Sequence, residues 1–204
     1  MAYDKQLNDP QPEPDSPAGD DIDYSDWASP AGSMIEARID SLLWPRELVD
    51  PFAAAAPNML DAILADLDAP PAMISLSLCG DAEIHQLNHQ HRGFDKPTNV
   101  LSFAAYDPAE IPLISDGGPA LHAEPLMLGD IVIAAQTVAR EADSQNISMA
   151  DHLMHLFVHG TLHLLGHDHI DDDMAATMEN LEIKYLAHIG ISNPYRDAET
   201  ENRN

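Results

Sequence analysis

The sequence predicts a single α+β domain in which a small mixed β-sheet packs with about five helices, one of them a metal-binding helix lying in the cleft. Three observations carry that expectation. Strand-like and helix-like periodicities alternate along residues 34–193. Two or three strand patterns precede a histidine-bearing helical pattern, and another helical pattern follows it. The chain has 204 residues, 45% of them apolar, which suffices for one core and falls short of two comfortable ones.

Residues 1–33 hold eight acids, five prolines and one lysine with few apolar residues, so they are expected to form a disordered acidic Pro-rich extension, with the fold starting near Ser33. From Met34 to Ile39, Ile35, Ala37 and Ile39 alternate with Met34, Glu36 and Arg38, the pattern of a strand. Asp50-Pro51 resembles an N-cap followed by proline at the first helical position. Phe52, Ala55, Met59, Ile63 and Leu67 then recur at helical spacing, so a helix bent at Pro57 should end before Pro70-Pro71. Met73 to Leu78 sets Ile74, Leu76 and Leu78 against serines, as a strand with one buried face does. Asp81 to His91 places Ile84, Leu87 and His91 on one helical stripe. Asn99 to Phe103 and Leu128 to Ile133 are further strands, separated by a Pro/Gly-rich connection from Tyr106 to Pro125 that is long for a compact domain. Ser148-Met149-Ala150-Asp151 resembles a capping box opening the histidine helix. Asp171 to Ile189 is a last helix closed by Gly190, with Asp171-Asp172-Asp173 favouring the positive end of its dipole. Residues 194–204 are expected to be a flexible tail.

Nine basic residues against 35 acidic ones give a formal net charge of −26. A uniform field of that sign repels nucleic acid and favours cationic partners. Part of the excess belongs to residues 1–33; the remaining imbalance is still large and reads as an acidic surface for solubility or for life at elevated salt. Cys79 is the single cysteine, so no internal disulfide forms and a cysteine-based zinc knuckle is ruled out. Metal ligands must therefore be histidines or carboxylates. Met1-Ala2-Tyr3-Asp4-Lys5 has neither a basic n-region nor an apolar h-region, and no stretch approaches roughly 18 uncharged apolar residues. A soluble cytoplasmic protein without a membrane partner is the expectation.

His159-Gly160-Thr161-Leu162-His163-Leu164-Leu165-Gly166-His167-Asp168-His169 carries the chemistry. His159 and His163 stand four apart and share one helical face. Gly166 can end the helix in a left-handed conformation, and the turn brings His169 back toward the same point. Three imidazoles with a fourth position open describe a catalytic metal site. The spacing equals that of zinc proteases, H-E-x-x-H-x-x-G-x-x-H, but their general-base glutamate is replaced by Gly160, which disfavours peptide hydrolysis. Asp168 is available to handle a proton, to orient a ligand imidazole, or simply to cap the turn. His152 and His155 share the helical face and read as polar or supporting residues, and His167 points elsewhere in the turn.

The whole motif resembles the H-G-x-L-H-L-x-G-x-D-H signature of the YbeY family, bacterial zinc-dependent endoribonucleases of ribosomal RNA maturation. Two more blocks resemble that family in the same order: Leu87 to Phe103, similar to L-N-x-x-(Y/H)-R-x-x-D-x-P-T-(D/N)-V-L-S-F, and Leu128 to Ile133, similar to L-G-D-I-x-I. The resemblance spans about residues 34–192. It departs from the family pattern at Ala104, where proline is common, in the long connection after Ser102, and in the acidic extension.

The resemblance implies that His159, His163 and His169 hold one Zn2+ per chain and that Arg92 acts near it. A guanidinium offers phosphate a planar donor fork, whereas the plainer role for Arg92 is a helix-end bridge to Asp95. Lys96 is a second candidate phosphate contact. The implied function is hydrolysis of phosphodiesters in single-stranded RNA, in 16S rRNA 3′-end maturation and ribosome quality control, with ribosomal RNA as substrate rather than DNA. In so acidic a chain RNA must meet a local patch, with Arg38, Arg92, Lys96 and Arg140 as candidates, and a ribosome or small-subunit ribosomal protein can dock on the acidic surface. A non-catalytic assembly factor with a structural zinc and a metal-dependent hydrolase of a small ester or amide remain the alternatives.

Overall fold

Apolar–polar alternation does produce strands where it is regular. The computed structural model describes residues 21–107, 110 and 125–195; the expectations for residues 1–20, for most of the Tyr106–Pro125 connection and for residues 196–204 lie outside the described residues. In chain order the elements are β1 (Ile22–Ala28), β2 (Met34–Asp40), α1 (Arg46–Asp66), β3 (Ala72–Cys79), α2 (Asp81–Arg92), β4 (Val100–Ala104), β5 (Leu126–Ala134), α3 (Ala135–Gln145), α4 (Met149–Leu164) and α5 (Asp172–His188).

The five strands form one mixed sheet in the order β1-β2-β3-β5-β4, so β1 and β4 are its edges. The central β2, β3 and β5 run parallel, and each edge strand pairs antiparallel with its neighbour. Side chains alternate between the two faces. Ile74, Leu76 and Leu78 of β3 and Ile131 and Ile133 of β5 join Phe52, Leu60 and Ile63 of α1 and Leu153, Phe157 and Leu164 of α4 in the main core. Cys79, Leu101 and Val132 point the other way and pack with Ile84 beneath α2. The sheet thus separates α2 from α1, α4 and α5. α1 is long and apolar enough to resemble a membrane span by composition, but Val49, Phe52, Met59, Leu60 and Ile63 are buried in this core.

Three features differ from the sequence expectation. A strand lies ahead of the expected start near Ser33, because Ile22–Ala28 pairs along its whole length with β2. Trp27 anchors that strand, its ring packing edge-on to Phe52 with centroids 5.8 Å apart. One buried tryptophan and a full backbone ladder outweigh the acidic side chains, which stay outside. Helix α1 starts at Arg46, not after Asp50: the Pro45 carbonyl accepts from the Leu48 and Val49 N–H groups, and both Pro51 and Pro57 lie inside the helix. An interior proline costs about 3 kcal/mol, whereas burying one Val, Leu, Ile, Phe or Met gains about 1.5–3 kcal/mol; α1 buries six such side chains, Val49, Phe52, Met59, Leu60, Ile63 and Leu64. Helix α3 was not anticipated as a separate element, since it follows β5 with no intervening turn and ends at Asn146 with φ +53°.

Candidate metal centre

Ser148 opens α4 by accepting the Asp151 N–H on its side chain, as its sequence context suggests. At the other end the Gly166 N–H bonds to the His163 carbonyl and the His167 N–H to the Leu162 carbonyl, with Gly166 at φ +87°. This is a Schellman cap, and it needs the left-handed glycine. The turn it makes returns the chain so that His159, His163 and His169 each offer a ligand nitrogen, all within 4.8 Å of one another. His159 and His163 sit one helical turn apart with ring centroids at 4.6 Å, and His169 stands 5.6 and 5.1 Å from them.

The protonation of two of these rings follows from their other nitrogens. His163 Nδ1 lies 3.0 Å from the His167 carbonyl oxygen, which only accepts, so Nδ1 carries the proton. His159 Nδ1 lies 2.9 Å from Glu182 Oε1. Burial works to raise the Glu182 carboxyl, but hydrogen bonds and charge from His155 and His159 together hold it down at about 2, so it accepts as well. With Nδ1 of each ring turned to an acceptor, the two Nε2 atoms face each other at 3.1 Å. Burial, then the charges of His159 and His169, push the His163 imidazole down to about 4, so at neutral pH its Nε2 offers a lone pair. A tetrahedral ion with M–N bonds of ~2.0–2.1 Å places two donors roughly 3.3 Å apart. The donor set fits a divalent metal, and the three histidines could hold one.

Glu182 is the residue that sequence reasoning missed. It is 1% exposed and takes three donors: His159 Nδ1, His155 Nε2 at 2.6 Å and Tyr195 Oη. A signal was present, because Met178, Glu182, Tyr185 and Leu186 form the buried stripe of α5 and a lone carboxylate in such a stripe needs partners. His155 is thereby committed to Glu182, and His152 Nε2 is committed to Glu141 Oε2 at 2.8 Å. Neither joins the cluster, in keeping with their expected supporting role. Asp168 Oδ1 accepts the His169 N–H at 2.8 Å. Gly160 marks where α4 lies against the sheet: a Cβ there would stand 3.0 Å from Ser102 Oγ and 3.1 Å from two Ile131 carbons. A side chain at this position would run into β4 and β5, so a glutamate in the protease manner has no room.

The cations are sorted sharply. Arg38 pairs with Glu83 at 2.9 Å and Arg140 with Asp81 at 2.9 Å, so two members of the expected basic patch are already neutralised. Arg46 and Lys184 pair with Asp23 and Asp66. Among the described residues, Arg92 and Lys96 alone of the Lys and Arg side chains have no acidic partner. The bridge from Arg92 to Asp95 does not form, because Asp95 Oδ1 binds His85 Nε2 at 2.7 Å. Arg92 ends α2, on the face of the sheet opposite α4, and both helices touch β4 and β5. Phe103 meets the His91 ring with centroids at 5.0 Å on one side, and Ser102 meets Gly160 on the other. The unpaired cations stand at the same sheet edge that supports the histidine helix.

A family model described as Endoribonuclease YbeY matches residues 46–190. The Endoribonuclease YbeY of Sphingopyxis alaskensis is 49% identical over 160 residues, covering 78% of this chain and 91% of that protein. Proteins of the same name from Paramagnetospirillum magneticum and Dinoroseobacter shibae are 47% and 43% identical, covering 71% and 81% of this chain and 86% and 92% of theirs.

Proposed function

The chain belongs to the YbeY endoribonuclease family, and on that premise we propose that it is a zinc-dependent hydrolase of phosphodiester bonds in single-stranded RNA. Its relatives' name specifies cleavage within RNA, and an internal phosphodiester is the bond such a reaction breaks. The observation that carries the metal-dependent reading is the convergence of one nitrogen from each of His159, His163 and His169 to within 4.8 Å of one another, with two Nε2 atoms turned toward each other.

His159, His163 and His169 would hold the ion, and when bound it supplies Lewis-acid polarisation of a phosphoryl oxygen and activation of water. Glu182 and the His167 carbonyl fix the tautomers that point the lone pairs inward. Asp168 holds the His169 backbone with Oδ1, and its other carboxylate oxygen is the group we assign to take a proton. Arg92, free of acidic partners, clamps a non-bridging phosphate oxygen and stabilises charge that develops on it, and Lys96 adds a point contact to the next phosphate. The physiological substrate in this reading is ribosomal RNA in the cytoplasm, at the 3′ end of 16S rRNA and in ribosome quality control. A ribosome or small-subunit ribosomal protein, rich in basic residues, would dock on the acidic surface and deliver the strand.

Cleavage of a single-stranded RNA by wild type, His163→Ala, Arg92→Ala and chelator-treated protein tests the proposal. Activity should fall below detection for His163→Ala and with chelator, and by at least tenfold for Arg92→Ala. Cleavage that survives both substitutions belongs to a contaminating nuclease and sinks it. A wild type that loses metal on His163→Ala yet never cuts RNA points instead to an assembly factor with a structural metal.

A further inference from the structure

Between α2 and β4 the chain runs Arg92-Gly93-Phe94-Asp95-Lys96, and Phe94 is an exposed phenylalanine, 57% accessible. The other phenylalanines are packed: Phe52 and Phe157 stack edge-on in the core, and Phe103 carries the His91 ring. Phe94 has no aromatic partner among the described residues. An exposed ring on a floppy loop would mean little, but this loop is pinned. The buried Asn88 amide donates to the Lys96 carbonyl at 2.8 Å, Asp95 is tied to His85 at 2.7 Å, and the Gly93 N–H closes α2 on the His89 carbonyl with φ +73°. The left-handed Gly93 turns the chain immediately before Phe94. The exposed ring therefore lies, along the chain, between Arg92 and Lys96, the two described Lys and Arg side chains without an acidic partner.

We infer that Phe94 is a stacking platform for one nucleobase of the substrate strand, with Arg92 and Lys96 holding the phosphates on either side. The inference rests on the proposed RNA substrate and goes beyond it by assigning a base-binding subsite. A single-stranded nucleic acid is the ligand whose chemistry alternates as this loop does, anionic phosphate beside a flat apolar base face. On a chain of net charge −26, a locally cationic loop with an aromatic at its centre selects that ligand over a neutral apolar peptide. Stacking on an aromatic tolerates every base, so the subsite distinguishes unpaired strands, whose bases are free to swing out, from duplex.

The metal-loaded protein is compared as wild type, Phe94→Ala, Phe94→Trp and Tyr24→Ala, the last removing an exposed aromatic from β1 at the opposite edge of the sheet. Phe94→Ala should raise KM for a single-stranded RNA about 5- to 20-fold, the lower part of what one base–aromatic stack contributes, with kcat and metal content within about twofold. Phe94→Trp should restore KM, and its added fluorescence should be quenched by oligoadenylate but not by an abasic strand of equal length. Competition should show wild type preferring the oligoadenylate over the abasic strand, a preference absent from Phe94→Ala. If wild type cleaves RNA and Phe94→Ala matches it, or if Phe94→Ala loses abasic and base-bearing strands equally, the stacking assignment is overturned while the nuclease reading stands. If wild type neither binds nor cuts RNA, the nuclease reading fails and the subsite falls with it.

Discussion

Glu182 and the His167 carbonyl, one on α5 and one in the turn after α4, decide which nitrogen of His159 and of His163 faces the candidate centre. The histidine triad could be read from i, i+4 spacing and a glycine because helix geometry is local. Its supporting carboxylate could not, because Glu182 lies on another helix and reaches His159 through tertiary packing alone. Glu182→Gln keeps the volume and removes the charge. It should weaken metal affinity about 10- to 100-fold, the usual cost of losing a carboxylate behind a ligand histidine. Chelator competition measures this, with far-UV circular dichroism of the stripped protein as the check on folding. Unchanged affinity would mean that the His159 orientation is set by helix packing alone. Arg92 illustrates the reverse case: the sequence offered it a bridge to Asp95, and only the competing His85 contact shows why that bridge is absent.

Among the elements, those with strong periodicity and clear ends were readable, and β2, β3, α2, β4, β5, α4 and α5 fall where pattern and caps place them. β1 was not, because composition averaged over residues 1–33 hides one amphipathic strand inside an acidic, proline-rich stretch. The strand also shields an edge of β2 that would otherwise be open to pairing with another chain. Trp27 is 9% exposed and stacks on Phe52, so Trp27→Ala should cost roughly 3–5 kcal/mol, read as a shift in the urea midpoint. A disordered extension would give no shift. The start of α1 was misread for a related reason. Asp50-Pro51 is a good local signal for a helix beginning, but the buried Trp44 indole, donating to the Cys79 carbonyl at 2.9 Å, fixes the chain one turn earlier.

Taken as one object, the described domain is an acidic body in which Arg38, Arg46, Arg140 and Lys184 are spent on internal pairs, leaving among the described residues the loop with Arg92 and Lys96 beside the sheet edge that carries the histidine helix. Net charge alone argued against nucleic acid, and it misled because charge acts through its arrangement. The buried titratable groups also set a pH dependence. His163 has a folded value of about 4 against an ordinary 6.5, so the unfolded chain binds more protons between them and the stability His163 contributes above 6.5 is lost as pH falls toward 4. Glu182, at about 2 against an ordinary 4.5, loses its contribution as pH falls from 4.5 toward 2. The metal-free protein should therefore lose stability in two acid steps, the first between about pH 6.5 and 4, and urea midpoints at pH 7.5, 5.5 and 4.5 should decline in that order. A midpoint that rises on acidification would contradict the half-buried neutral imidazole.

The most direct measurement is a zinc titration into chelator-stripped protein with single-stranded RNA cleavage followed at each addition. Three histidines and one shared centre predict activity that begins at background, rises linearly and saturates at one zinc per chain, with His163→Ala flat throughout. Full cleavage by the stripped protein, or saturation unrelated to one ion per chain, would contradict the metal-centred account.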